Sequence, residues 1–321
     1  MPHIPVLLDA VLTHIAEMPD EGWFVDCTFG RGGHTRAILN AKSRWHVLGL
    51  DVDIDAIQYG EREFAREIVD GRLRLRHGEF SNVENWSQIL PDEVQNTTGT
   101  GLLGALLDLG VSSPQLDEAH RGFSFYHDGP LDMRMNVSDG ATAADIVNSW
   151  SEKELNDLFH YLGEVRSPFR VSRQIIERRR EQKFSTTREL ADLIAGVEGW
   201  RKKGHHPATS FFMALRIQVN HELDRLTSAL PKIVERLGAN GRFFVITFHS
   251  LEDRIVKNAF REFASKNLGK LVNKKVIQAT WDETKDNPRA RSAKLRIFEA
   301  PGNANDVIPK RERGKHESAT N

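Results

Sequence analysis

The 321-residue sequence has few of the features that mark secreted or membrane proteins. Cys27 is its only cysteine, so no disulfide can form within the chain. No run of about 18 or more apolar residues is present to span a bilayer. The N-terminus also lacks the basic start, the long apolar stretch and the small-residue cleavage site of a signal peptide. Because a hydrophobic content of 39% is ample for a buried core, we expect a cytoplasmic protein without a membrane partner.

The chain also lacks an excess of positive charge, since its net charge is −1. This balance does not by itself indicate a nucleic-acid-binding protein, but a local basic face can still contact phosphates. The basic residues cluster at Arg178, Arg179 and Arg180, at Arg201, Lys202 and Lys203, at Lys274 and Lys275, and at Lys310 and Arg311. Taken alone, each cluster is more typical of a solvated helix face or a tail.

Short apolar runs alternate with stretches of helical character in the first and last parts of the chain. Residues 23–28, 45–51, 72–76, 104–109, 242–248 and 294–299 have the composition of strands. Residues 55–69 have helical character, and the apolar residues between 212 and 230 are spaced as one stripe on a long helix. This alternation predicts an α/β fold in which helices cover both faces of a mainly parallel sheet.

The middle of the sequence shows much helical signal and little strand signal. Ser151 and Thr186 are each followed three residues later by Glu, which is the capping-box pattern of a helix start. We therefore predict a helical insertion at residues 116–206. The core would then be discontinuous, with residues 1–115 and 207–301, and residues 302–321 would form a flexible tail.

A glycine-rich loop follows the first predicted strand and indicates a nucleotide site. Asp26 precedes glycines at positions 30, 32 and 33, and Asp51 ends the second predicted strand. An acid at that place can accept hydrogen bonds from the ribose hydroxyls of an adenosine. The spacing G-x-G-G differs from the G-x-G-x-x-G of dinucleotide sites, and an anionic Asp26 would repel a pyrophosphate. The pattern favours S-adenosylmethionine over NAD.

A polar turn ends the fourth predicted strand, at residues 108–115 (DLGVSSPQ). Its Ser-Ser-Pro-Gln segment resembles the Ser-Pro-Pro-aromatic loop with which DNA amino-methyltransferases hold the target amine, although an ordinary proline turn has the same composition. The histidines form no metal-binding pattern, so we expect no metal site.

Seven motifs lie one after another between residues 28 and 292. They are TFGRGGH at 28–34, LDLGVSSPQL at 107–116, RGFSF at 121–125, DGPLDMRM at 128–135, HPAT at 206–209, FHSLEDR at 248–254 and NPRARS at 287–292. Together they resemble the ribosomal RNA small subunit methyltransferase H family, over nearly the whole chain. Cys27 stands where glycine is frequent and Met213 where glutamine is familiar, and residues 266–286 share little with the family.

The resemblance implies a Rossmann-like class I S-adenosylmethionine-dependent methyltransferase core with a helical insertion. It implies N4-methylation of a cytosine in the decoding centre of 16S rRNA, within the small ribosomal subunit. It places the cofactor against Gly32, Gly33, His34, Asp51, Phe80, Asp108 and Gln115.

The catalytic residues are less defined by the sequence. Cytosine N4 is a weak nucleophile that must be positioned and must donate a hydrogen bond to an acceptor. Ser113 is the first candidate acceptor and His249 the second. The insertion, with its two basic clusters, is the expected rRNA surface. The general base and a monomeric or homodimeric state stay open, as do three alternative functions: a DNA amino-methyltransferase, an NAD-dependent oxidoreductase and a non-catalytic RNA-binding protein.

Overall fold

The computed structural model describes residues 5–88, 90, 91, 94, 101–199 and 206–302. Eight strands form one sheet, namely β1 (Glu21–Asp26), β2 (Arg44–Asp51), β3 (Leu73–His77), β4 (Leu102–Asp108), β5 (Leu237–Thr247), β6 (Lys270–Leu271), β7 (Ile277–Gln278) and β8 (Lys294–Glu299). Their spatial order is β3-β2-β1-β4-β5-β8-β6, and β7 also pairs with β8.

The first five strands are parallel, and β8 is antiparallel to β5. The chain adds strands on one side of β1 as far as β3 and then crosses to β4 on the other side. Such a switch opens a crevice above the carboxyl ends of the strands, where open α/β sheets bind ligands. The fold class predicted from the sequence, a Rossmann-like core with helical additions, is confirmed.

Thirteen helices accompany the sheet in the described part of the chain. They are α1 (Leu8–Ala16), α2 (Gly33–Ala41), α3 (Ile54–Glu63), α4 (Ala65–Val69), α5 (Ser113–Asp117), α6 (Ala143–Ser149), α7 (Glu152–Tyr161), α8 (Phe169–Glu181), α9 (Thr187–Glu198), α10 (Thr209–Val219), α11 (Glu222–Val234), α12 (Ser250–Ser265) and α13 (Trp281–Asp286).

The two faces of the sheet carry separate apolar cores, because successive strand residues point to opposite sides. Phe24 packs with residues of α1, α2 and α3, whereas the next residue, Val25, packs with residues of α11 and α12. Both side chains are fully buried. Since both faces are covered, the central strands β2 and β4 are apolar along most of their length, whereas β3 alternates Leu with Arg.

A third apolar cluster lies outside the sheet and is formed by helices α6 to α10. Its largest buried members include Phe159, Phe211 and Phe212. Ser151 and Thr186 cap α7 and α9, and in each case the hydroxyl accepts a hydrogen bond from the backbone N–H of the Glu three residues later. Helix α10 joins this cluster although it follows residue 206. The boundaries of the insertion, 116–206, stay a prediction.

The prediction of one long helix across residues 212–230 is wrong. The apolar stripe is divided between α10 and α11, and the chain turns at Asn220 and at His221, whose φ is 48°. The Asn220 side chain donates a hydrogen bond to the carbonyl of Met133 at 2.8 Å and accepts one from the N–H of Met135 at 2.8 Å. These hydrogen bonds between distant parts of the chain end α10. The spacing of the apolar residues cannot predict them.

No helix among the described residues has the length and apolar character needed to cross a membrane.

Candidate active site

A cavity lies above the carboxyl ends of β1, β2 and β4. Its empty volume is about 930 Å³, part of which is open to solvent. This is within the range of pockets that bind nucleotide-sized ligands. Of the residues predicted to form the site, the cavity is lined by Gly33, His34, Asp51, Asp108, Ser113 and Gln115.

The glycine-rich loop is shaped by two residues that tolerate no side chain. Gly32 has a φ of 68°, and a Cβ there would lie 2.5 Å from the Phe64 ring. A Cβ on Gly33 would lie 2.5 Å from Pro5 Cγ. Gly32 precedes α2 and Gly33 begins it, so the loop delivers the helix N-terminus to the cavity. The Phe64 and Pro5 side chains occupy the space where a Cβ would lie, so glycine is required at both positions for the loop to pack at the start of α2.

Asp26 organises the loop and is not a lining residue of the cavity. Its carboxylate accepts hydrogen bonds from the N–H of Thr28 at 3.2 Å and from the hydroxyl of Thr35 at 2.7 Å. Burial raises the pKa of Asp26 to about 6, against the opposing effect of these hydrogen bonds. The acid therefore fixes the ends of the loop, whereas the sequence pattern had placed its charge beside the ligand.

Asp51 ends β2 and faces the cavity with a preorganised carboxylate. Oδ2 accepts a hydrogen bond from Gly30 N–H at 2.7 Å, and Oδ1 accepts one from Asp53 N–H at 2.8 Å. Burial raises the pKa of Asp51 to about 6. Each oxygen retains a further lone pair, so the carboxylate can accept two hydroxyl donors such as those of a ribose.

Asp108 ends β4 and lines the cavity with a carboxylate, one oxygen of which is buried without a partner. Its Oδ2 lies 3.7 Å from Nδ1 of His34, while Oδ1 is buried and has no hydrogen-bond partner. Burial raises the pKa of Asp108 well above its usual range, and the charges of Asp26 and Glu252 raise it further. A buried acceptor without a donor is costly, and a cationic or hydrogen-bonding ligand in the cavity removes that cost.

The turn after β4 brings Ser113 and Gln115 to the same cavity. Gln115 Oε1 accepts a hydrogen bond from Ser112 N–H at 2.9 Å, and its Nε2 donates one to Asp53 Oδ2 at 2.8 Å. The hydroxyl of Ser113 accepts a hydrogen bond from Arg289. Both residues thus have protein partners as well as access to the cavity.

A buried ion pair that the sequence pattern does not reveal lies next to the cavity. Arg121 donates to Asp53 Oδ2 at 2.7 Å, and the side chains of these two residues are only 4% and 8% exposed. Arg121 also donates to the carbonyls of Arg134 and Met135. Asp53 stands directly before α3, where an acid is a typical N-cap, but nothing in the sequence pairs it with Arg121.

Three predicted site residues, Gly32, Phe80 and His249, are not among the residues that line the cavity. Phe80 is partly buried against the core cluster that contains Val25. His249 caps α12, and its Nε2 lies 3.0 Å from Glu252 Oε1, while its neighbour Phe248 lines the cavity. The cavity lining therefore does not include Phe80 or His249, whereas Gly32 directly precedes the lining residue Gly33.

Glu222, His249 and Glu252 are close enough together to resemble a metal site. Arg216, however, donates to both oxygens of Glu222, at 2.9 and 3.0 Å. Glu252 accepts hydrogen bonds from the N–H groups of Phe248 and His249. Burial raises the pKa of Glu252, but His249 and Arg216 outweigh it and hold that pKa below its usual value. The cluster is best described as a buried ion-pair network.

The basic residues of the insertion differ in what they contact. Arg178 donates to the carbonyl of Gln182 at 2.6 Å, and Arg179 donates to that of Val147 at 2.8 Å. Arg180 is exposed to solvent. Residues 201–203, the second predicted cluster, lie outside the described residues, as do residues 303–321 of the predicted tail.

Comparison with known proteins shows which chemistry this site serves. The sequence profile of the MraW methylase family matches residues 1–301. The chain belongs to the MraW methylase family. Over 304 residues, it is 48% identical to a ribosomal RNA small subunit methyltransferase H from Bdellovibrio bacteriovorus. The matched region covers 92% of this chain and 87% of that protein. It is 43% identical to a protein of the same name from Stenotrophomonas maltophilia, over 92% of each chain.

Membership of this family confirms the expectation of an S-adenosylmethionine-dependent methyltransferase. It also removes the NAD-dependent oxidoreductase from the alternatives. The residues present are suited to the methyl donor, because Gly33 and His34 at the start of α2 line the cavity and Asp108 Oδ1 lacks a partner. The acids at the cavity also match a ligand that carries positive charge.

Proposed function

We propose that this protein transfers a methyl group from S-adenosylmethionine to N4 of a cytosine in the decoding centre of 16S rRNA, within the cytoplasmic small ribosomal subunit. The observation that carries the proposal is the joint lining of one cavity by Asp51, Asp108 and Ser113. The rRNA substrate named for the relatives supports the substrate class. The Ser-Ser-Pro-Gln turn supports an amino group as the methyl acceptor.

In this proposal Gly32, Gly33, His34, Asp51, Asp108 and Gln115 hold the cofactor, with Asp51 accepting the ribose hydroxyls. Phe80 is retained as the proposed wall for the adenine. When bound, the cofactor supplies a methyl group on a positively charged sulfur, which accepts the electron pair of the broken carbon–sulfur bond. The protein must then keep cytosine N4 about 3 Å from the methyl carbon and in line with the sulfur.

The acceptor for N4–H is assigned to the turn that contains Ser113, with His249 as the second candidate. As N4 bonds to carbon it loses one proton, which passes to that acceptor and then to water. The contact of His249 with the buried Glu252 disfavours His249, because its ring is already engaged in the cap of α12. Positioning by the Ser113 turn, without a strong base, therefore accounts best for the rate.

To test this proposal, the protein is incubated with radiolabelled S-adenosylmethionine and, in parallel reactions, with unmodified small subunits, naked 16S rRNA or duplex DNA. Digestion to nucleosides and mass spectrometry should locate the label as N4-methylcytidine from small subunits. Label in DNA alone would instead support the DNA amino-methyltransferase. Cofactor binding without transfer to any of the three substrates would support a non-catalytic RNA-binding role.

A further inference from the structure

Arg289 lies at the rim of the cavity, far along the chain from the residues it contacts. Its guanidinium donates one hydrogen bond to the hydroxyl of Ser113 and another to Asp117 Oδ1 at 2.8 Å. The side chain is 41% exposed and lines the cavity. Arg289 therefore stands between solvent and the turn to which we assign the target amine.

The backbone around Arg289 is anchored although its side chain is exposed. Asn287 Oδ1 accepts a hydrogen bond from Arg289 N–H at 3.2 Å, and the next residue, Ala290, is fully buried. In α13, Glu283 accepts a hydrogen bond from Leu7 N–H at 2.6 Å, which ties this segment to the N-terminal residues at the cavity. The guanidinium can thus change partners without moving its backbone.

The charges at the cavity indicate that Arg289 does not serve the cofactor. Three acids line the cavity, Asp51, Asp53 and Asp108, and because Asp53 is already paired with Arg121, it is the other two that suit a ligand with positive charge. A nucleotide phosphate would be repelled by these acids and needs a cation at the rim. The other lining arginine, Arg31, lies 4.4 Å from the centre of the Tyr59 ring and 3.9 Å from Glu118.

We infer that Arg289 binds a backbone phosphate of the RNA strand that carries the target cytosine, with the phosphate replacing Asp117 as its partner. The inference rests on the proposed function. An exposed Arg–Asp pair contributes little to stability, whereas guanidinium–phosphate contacts are charge-assisted and often bidentate. The exchange is therefore favourable, and the Ser113 hydroxyl, which accepts one hydrogen bond from Arg289, keeps a second lone pair that can accept one from N4–H.

Two opposing variants distinguish this role from a merely structural contact. Arg289→Gln should raise KM for unmodified small subunits by roughly tenfold and weaken its dependence on salt. Asp117→Asn removes the competing partner, so it should lower KM by about two- to fivefold. The affinity for S-adenosylmethionine, measured by calorimetry, should stay unchanged in both. If Arg289 only fastened residues 288–292 to α5, both variants would impair the enzyme in the same direction.

The matched controls are Arg66→Gln and Asp70→Asn, which break an exposed Arg–Asp pair on α4 away from the cavity lining. Neither should alter KM. The inference is overturned if Arg289→Gln behaves like Arg66→Gln, or if Asp117→Asn raises KM. Failure of the proposed function is recognised separately, since the wild-type protein would then methylate no RNA, and the inference would fall with it.

Discussion

Gln115 connects the turn after β4 to the turn after β2. Its Nε2 donates to Asp53 Oδ2 at 2.8 Å, and Arg121 donates to the same oxygen at 2.7 Å. Asp53 N–H in turn donates to Asp51, the acid assigned to the ribose. The proposed cofactor side and the proposed target side of the cavity are therefore fixed to each other through one buried carboxylate.

This buried carboxylate gives the first prediction. Arg121→Ala leaves Asp53 buried without its charged partner, which should lower the free energy of unfolding by about 3–5 kcal/mol. Chemical denaturation measures the loss. As a control, Arg66→Ala breaks an exposed pair and should cost about 1 kcal/mol or less. Equal losses in the two variants would mean that the Arg121 pair contributes no more than a surface contact.

Asp51 gives the second prediction. Asp51→Ala should weaken binding of S-adenosylmethionine by about 1.5–3 kcal/mol, because two charge-assisted hydrogen bonds to the ribose are lost. Asp51→Asn preserves the shape of the side chain and tests whether the charge is required. Calorimetry measures both, with the exposed Asp70→Asn as control. Unchanged affinity in Asp51→Ala would remove this residue from the cofactor site.

The raised pKa of the same residue predicts a pH dependence. Burial raises the pKa of Asp51 to about 6 in the free protein, so the carboxyl is largely protonated at pH 5 and ionised at pH 7. The ionised form accepts hydroxyl donors more strongly, so cofactor binding should release protons. The affinity should rise as the pH increases through about 6 and should level off above about 7. Calorimetry in buffers of different ionisation enthalpy counts the released protons. The step should shrink in Asp51→Asn, and an affinity independent of pH in the wild type contradicts the argument.

The insertion gives the fourth prediction, in which the structure separates neighbouring arginines. Arg180→Gln should raise KM for small subunits and flatten its salt dependence, because the exposed side chain is free to contact phosphate. Arg179→Gln should instead lower stability, since Arg179 donates to the Val147 carbonyl. The sequence-based expectation for Arg201, Lys202 and Lys203 matches that for Arg180. A wild-type KM at every salt concentration in the Arg180 and 201–203 variants would identify these charges as a solvated face.

Much of this fold was predictable because its determinants are local. The six longer strands follow from apolar runs, and Ser151 and Thr186 mark helix starts through contacts three residues away. The features that could not be predicted from the sequence depend on contacts between residues far apart in the chain. Asn220 ends α10 by binding the backbone at Met133 and Met135, and the two-residue strands β6 and β7 exist only by pairing with β8.

The site divides in the same way. Asp51 and Asp108 were predictable because a strand end and a glycine-rich loop determine their position. Arg121 and Arg289 were not, since each reaches its partner across the folded chain. Arg121 lies in the motif RGFSF and Arg289 in the motif NPRARS. The motifs therefore indicated that both arginines matter, but they did not indicate which residues the arginines contact.

The last prediction concerns Ser113, which the structure places at the cavity in contact with Arg289. If the turn receives the target amine, Ser113→Val should block the approach of N4 and leave the cofactor bound. The single-turnover rate on small subunits should then fall far more than the affinity for S-adenosylmethionine. Ser113→Ala removes the hydroxyl without adding bulk, so comparison of the two variants separates lost hydrogen bonding from obstruction.

A purely structural role for Ser113 makes a different prediction. Ser113 is the first residue of α5, and Arg289 is bonded to it, so a destabilised turn would also lower activity. In that case the melting temperature and the cofactor affinity would fall together with the rate. All three quantities should therefore be measured on the same preparations. A stable, cofactor-binding Ser113→Val protein with a near-normal rate of methyl transfer would exclude this turn as the amine site, and His249 would become the residue to test.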